Sequence, residues 1–147
     1  MRSFMQLAFK GVLFSSIFAA SSPSRADGGA LSPGALAAPA RSALESEIAS
    51  ARKQRPAAFR AARAVDSFRA KAAAGSRHNQ PTAARAFMRL GKAGLMPMLE
   101  MLAWKADVTG LTPPERLALG DGLLQAVAFA RDPRSAPVLE AVFLRSA

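Results

Sequence analysis

Beyond residue 42, apolar and polar positions recur at helical spacing almost to the end of the chain. Ala57, Ala61, Val65, Phe68 and Ala72 share one face, and Phe59 lies nearly opposite. This predicts a helix over 56–74 that touches two neighbours. Ala83, Phe87 and Leu90 form the inward face of a helix over 81–90, with Arg85, Arg89 and Lys92 in line on its outer side. Leu95, Met98, Leu99 and Leu102 make one stripe over 95–106, while Met101 and Trp104 project from the other side. Leu117, Leu119, Leu123, Leu124, Val127 and Ala130 make so wide an arc over 113–131 that burial on two sides is expected. Gly120 and Gly122 interrupt that helix at about 1 kcal/mol each relative to Ala, and close approach of another helix is the expected reason. In a last helix from about residue 135, Val138, Leu139, Val142 and Phe143 share an arc, with Leu144 outside it.

Punctuation between these stretches fits the same plan. Ser42 and Glu45 have capping-box spacing, which predicts a first helix over 43–54. Pro56 ends that helix and suits the first turn of the next, which Gly75 stops. Residues 76–80 read as a polar loop. Thr112 and Glu115 form a second capping box, with two prolines where a missing N–H costs nothing. Val, Ile and Thr are few and Tyr is absent, so strands are disfavoured. The expectation is an all-α domain of five or six antiparallel helices over 41–147.

The first residues follow a different grammar. Arg2 and Lys10 precede an uncharged, mostly apolar run over 11–20, and Ser24-Arg25-Ala26 places small residues before Asp27. This order matches a signal peptide over 1–26, and so an exported chain, periplasmic or secreted. The cleavage position falls between residues 20 and 26. An organellar transit peptide is the rival reading; the compact apolar block disfavours it. Ten residues of helix reach about 15 Å, half of a ~30 Å hydrocarbon core, so a permanent anchor is not expected. The chain has no Cys, which removes disulfides and a lipid-anchored cysteine. Residues 27–40 are mainly Gly, Ala and Pro and read as a flexible linker.

An internal echo then sharpens the architecture. Pro97-Met-Leu-Glu100 falls on Pro137-Val-Leu-Glu140 at a period of 40, and Lys105 falls on Arg145. Asp132, Pro133, Arg134, Pro137, Leu139 and Glu140 resemble the HEAT-like (armadillo-type) helical repeat, in which a first helix ends at Asp-Pro-Arg and a Pro-led helix follows. The earlier unit lacks the Asp-Pro-Arg. The resemblance covers residues 81–147 and implies a short α-solenoid of two helix pairs. It implies nothing about chemistry. A generic helical bundle is the alternative.

Charge is uneven. Residues 52–92 hold eleven Lys and Arg against Asp66 alone, whereas residues 93–147 hold five basic and six acidic residues. Arg60, Arg63, Lys71, Arg85, Arg89 and Lys92 are therefore candidate contacts for an anionic partner. In an exported chain that means anionic lipid headgroups or acidic glycans; nucleic acid is disfavoured, since no recognised motif accompanies the charge. A plain solubilising face is the other reading.

Catalytic patterns are sparse. His78 is the one histidine and sits in the polar loop, and no zinc ligand set or nucleophile elbow is present. No cofactor is implied. Glu100 and Glu140 recur at equivalent places, which suggests a structural role; a carboxylate-dependent hydrolase ranks third among the functions considered. First comes a non-catalytic interaction or scaffold module that binds a protein partner, with Trp104 and Leu144 as candidate interface residues and a homodimer through the last helix as one form of that contact. A module for anionic surfaces, through residues 52–92, comes second.

Overall fold

The computed structural model describes residues 29–32, 34–74 and 80–146, with the side chains of 66–74, 80–82 and 146 outside that description. Among the described residues it contains six α-helices and no strand. These are α1 (Ala38–Gln54), α2 (Pro56–Ala74), α3 (Gln80–Met88), α4 (Leu95–Glu100), α5 (Pro113–Ala130) and α6 (Ala136–Ser146). No helix among the described residues is long and apolar enough to cross a membrane.

The short α4 is the middle of the core. All six of its residues are buried, five of them apolar, and a helix covered all round belongs inside a domain. It continues without a break into a π-helical turn, Met101–Lys105, where Met101, Leu102 and Ala103 are also buried. Leu44 and Ile48 of α1, Phe59 and Ala62 of α2, and Leu119, Leu123 and Val127 of α5 close around it. α3 lies against α5 and α2, with Ala83, Ala84 and Phe87 inward. Val138 anchors α6 in the same core.

Three elements depart from the sequence pattern. α1 begins at Ala38, with Pro39 in its first turn, so Ser42 lies inside the helix and caps nothing. Glu45 pairs instead with Arg41 at 2.9 Å, one turn away. Among the described side chains of α2, Phe59 and Ala62 are buried and Val65 is half-buried against the core, while Ala57 and Ala61 face solvent. One buried Phe outweighs a row of alanines, at roughly 1.5–3 kcal/mol for the large side chain. Phe68 and Ala72 lie outside the described side chains, and His78 outside the described residues.

The third departure is the stretch read as a flexible linker. Its described residues are packed: Leu31 and Leu36 are buried in the core cluster. Ala30 N–H donates to the Leu102 carbonyl at 2.7 Å, and Leu31 N–H donates to the Ala103 carbonyl at 3.1 Å. The physical reason lies at the helix end. The last four carbonyls of a helix have no partner within it, and here two of them are buried and need one. Residues 30 and 31 supply the two donors.

Other boundaries follow the pattern. Thr112 and Glu115 form the capping box of α5. Each Pro-led helix, α4 with Pro97 and α6 with Pro137, is preceded by a 3-10 turn, Gly91–Gly94 and Pro133–Ser135 respectively.

Candidate functional site

One part-buried charged cluster, one more exposed one and one cleft stand out. The first cluster joins α1 to α4. Glu100 is 5% exposed, and both of its carboxylate oxygens accept from the Arg52 guanidinium. Lys105 Nζ lies 3.6 Å from the same carboxylate. Arg52 also covers the Phe59 ring at 4.6 Å from its centroid, so one side chain ties α1 to both α2 and α4. Glu140, the matching residue of the sequence echo, is exposed. The two glutamates therefore have unlike surroundings. No group of three or more His, Cys, Asp or Glu able to hold a metal occurs among the described residues.

The second cluster is the turn into α6. Asp132 accepts from Arg134 Nε at 2.8 Å and from a terminal guanidinium nitrogen at 2.7 Å. The Arg134 hydrogen bond, more than any other influence, holds the Asp132 carboxyl at about 2, well below the usual carboxylate range. The same contact raises the Arg134 guanidinium above its ordinary value. Arg134 also reaches Glu47 of α1 at 3.9 Å. This is how the Asp-Pro-Arg stretch works here: it turns the chain and pins the turn to α1.

The cleft lies between the π-helical turn, α5 and α6, and encloses about 350 Å³. Met101, Leu102, Leu123, Leu124 and Val142 make it mainly apolar, and Ala30 contributes from the N-terminal stretch. The exposed Arg116, Leu117 and Asp121 also border it. Gly120 lines it, and a Cβ built on Gly120 meets nothing within 4 Å. Close helix approach thus explains only the other glycine. A Cβ on Gly122 lies 2.8 Å from the Ala83 Cβ, so Gly122 lets α3 and α5 touch. Gly120 instead leaves space.

The last two helices also expose large apolar side chains, of which Leu117 borders the cleft. Leu117 is 68% exposed, Phe129 69%, Phe143 59% and Leu144 80%. Leu144 therefore sits where the sequence placed it, on the surface. Trp104 does not stand out as a free anchor. It is half-buried, with the Arg41 guanidinium over its ring at 5.7 Å. Leu124, expected in the core, is half-buried because it borders the cleft.

The basic candidates divide simply. Arg60, Arg63, Arg85, Arg89 and Lys92 are all exposed, and Lys71 lies outside the described side chains. The stripe of Arg85, Arg89 and Lys92 faces solvent as its spacing implies.

Sequence reasoning missed the cleft and the Arg52–Glu100 contact. The one signal for the cleft was a mid-helix glycine whose cost of about 1 kcal/mol needed a reason. No protein-family model, curated protein or solved structure matches this chain.

Proposed function

We propose that this chain is a non-catalytic helical interaction module that takes one or two large apolar side chains of a protein partner into the cleft between α5 and α6. Gly120 carries this reading. A glycine in mid-helix with open space beyond it keeps a side-chain-sized volume free at a cost in helix stability. The exposed Leu117 on its rim extends the apolar surface, as expected of a contact face. The sequence echo suggests a short HEAT-like pairing of α3 with α4 and of α5 with α6; α3 packs chiefly against α5 and α2, which favours a generic helical bundle. Export belongs to the same proposal, with residues 1–26 as its signal.

Affinity capture from an envelope extract, comparing wild type with Gly120→Leu, tests it. The added side chain has room at its Cβ, so the fold should persist while the cleft fills. The expected result is a partner held by wild type, lost with Gly120→Leu, and retained at physiological salt, since apolar contact is little screened. Equal capture by both chains overturns the cleft as the site. Mass spectrometry of the exported chain checks processing: Asp27 or a residue from Ser21 to Ser24 is expected first, and an intact Met1 outside the cytoplasm overturns export.

A second reading rests on Arg60, Arg63, Arg85, Arg89 and Lys92, which are exposed and form no ion pair with another described residue. Such a face attracts anionic lipid headgroups or acidic glycans. Replacing Arg85, Arg89 and Lys92 together by Glu should abolish binding to anionic vesicles at low salt while leaving helix content unchanged. Wild-type protein that ignores such vesicles and acidic glycans at low salt leaves only the solubilising role.

A further inference from the structure

One wall of the cleft is not a helix. Ala30 lines it, and three contacts fix the stretch to which Ala30 belongs. Its N–H and that of Leu31 reach the Leu102 and Ala103 carbonyls at 2.7 Å and 3.1 Å. The Arg145 guanidinium, from the end of α6, donates to the Ala30 carbonyl. Gly29 passes so close to the π-helical turn that a Cβ there would lie under 3.0 Å from the Ala103 oxygen and from the Trp104 nitrogen. The Leu31 side chain is buried beyond them. The docking is thus specified by a missing side chain, two backbone donors, one backbone acceptor and one apolar anchor.

We propose that residues 29–31 are a strap coupled to the cleft, so that filling the cleft and docking the strap strengthen each other. The coupling follows from shared contacts. An apolar group that fills the cleft touches Ala30 on one side and α5 on the other, and loses the Ala30 contact when the strap is away. Its affinity for the strapped form is higher by those contacts. By linkage the strap is held more firmly by the same factor. The proposal rests on the cleft being a binding site. It adds that site's regulation: an event that loosens residues 29–31 weakens the partner, and the partner tightens residues 29–31.

Tethered occupancy tests this in the full chain without a ligand. Gly120→Leu places an apolar side chain in the cleft, and hydrogen exchange at the Ala30 and Leu31 amides reads the strap. Exchange at both should slow about fivefold or more relative to wild type. Gly29→Val is expected to release the strap. Exchange at both amides rises at least tenfold. If Gly29→Val does not fold, Arg145→Ala removes the donor to Ala30 from the exposed side, and should speed the same two amides while Gly120→Leu partly reverses the change. A folded Gly120→Leu chain with unchanged exchange at Ala30 and Leu31 overturns the coupling. So does exchange in both Gly29→Val and Arg145→Ala that stays as slow as in wild type. Partner capture that ignores Gly120→Leu, with the exchange coupling intact, instead overturns the binding reading alone.

Discussion

Arg52 and Glu100, 48 residues apart, meet where α1 crosses α4, with the carboxylate almost fully buried and the guanidinium part-exposed. The pair is therefore unequal. Removing Arg52 strands a buried charge that only Lys105 then faces, whereas removing both partners strands nothing. Arg52→Met is expected to cost about 3 kcal/mol in urea unfolding, and the double change Arg52→Met with Glu100→Met to recover more than half of that loss. A double variant no better than the single one shows that the pair contributes packing and not charge balance.

The two glycines of α5 should respond in opposite directions. Gly120→Ala meets open space and removes a helix penalty, so a gain of about 0.5–1 kcal/mol is expected. Gly122→Ala drives a methyl into Ala83 at 2.8 Å and against the α3 backbone, so a loss of about 1–3 kcal/mol is expected. Thermal melts of the two variants decide it, and changes of the same sign would mean that α3 and α5 do not pack as described.

Asp132 gives a pH dependence at the acid end. Its carboxyl is held at about 2 when folded, mainly by Arg134, against roughly 3.9 in an unfolded chain. A depressed carboxyl contributes stability that is fully present above the unfolded value and is lost as pH falls through the folded one. The contribution should therefore fade between about pH 4 and pH 2. Partial exposure of both side chains keeps it small, on the order of 1 kcal/mol. Asp132→Asn should flatten the wild-type stability curve in that window and leave its shape above pH 5 unchanged.

Leu99 and Leu124 separate core from cleft. Leu99 is fully buried, and Leu99→Ala should cost about 3–5 kcal/mol. Leu124 is half-buried at the cleft, and Leu124→Ala should cost less than about 2 kcal/mol. Chemical denaturation ranks them; equal losses would place Leu124 in a closed core.

At 80% exposure, Leu144 is free of the domain's own core. Leu144→Asp should leave the melting temperature within about 2 °C, the usual range for a surface change in a domain of this size. If the last helix pairs two copies, sedimentation at micromolar concentration should show a wild-type dimer that this change converts to monomer.

Sequence pattern served best where large side chains recur at helical spacing. Leu95 and Leu99, Phe87, and Leu119 with Leu123 marked their buried faces because each carries enough apolar area to decide which way its helix turns. It served poorly where small residues do the work. Residues 29–31 are held by backbone donors and by the absence of a Cβ at Gly29, neither of which changes a hydrophobic pattern. Gly120 and Gly122 are identical letters two positions apart, yet one admits a helix and the other leaves a hollow. Arg52 and Glu100 needed the third dimension to meet.

Arg145 and Ala30 stand 115 positions apart, so their contact closes nearly the whole described chain into one loop. Closing such a loop costs entropy that a local helical hairpin never meets, and contacts of this range slow folding. A chain emerging from synthesis would hold residues 29–31 long before the π-helical turn and α6 exist to receive them. The helices can form as they appear, but this seal must wait for α6. Unfolding is constrained in the same way. Loosening residues 29–31 or the end of α6 breaks the same seam, so these two segments open together.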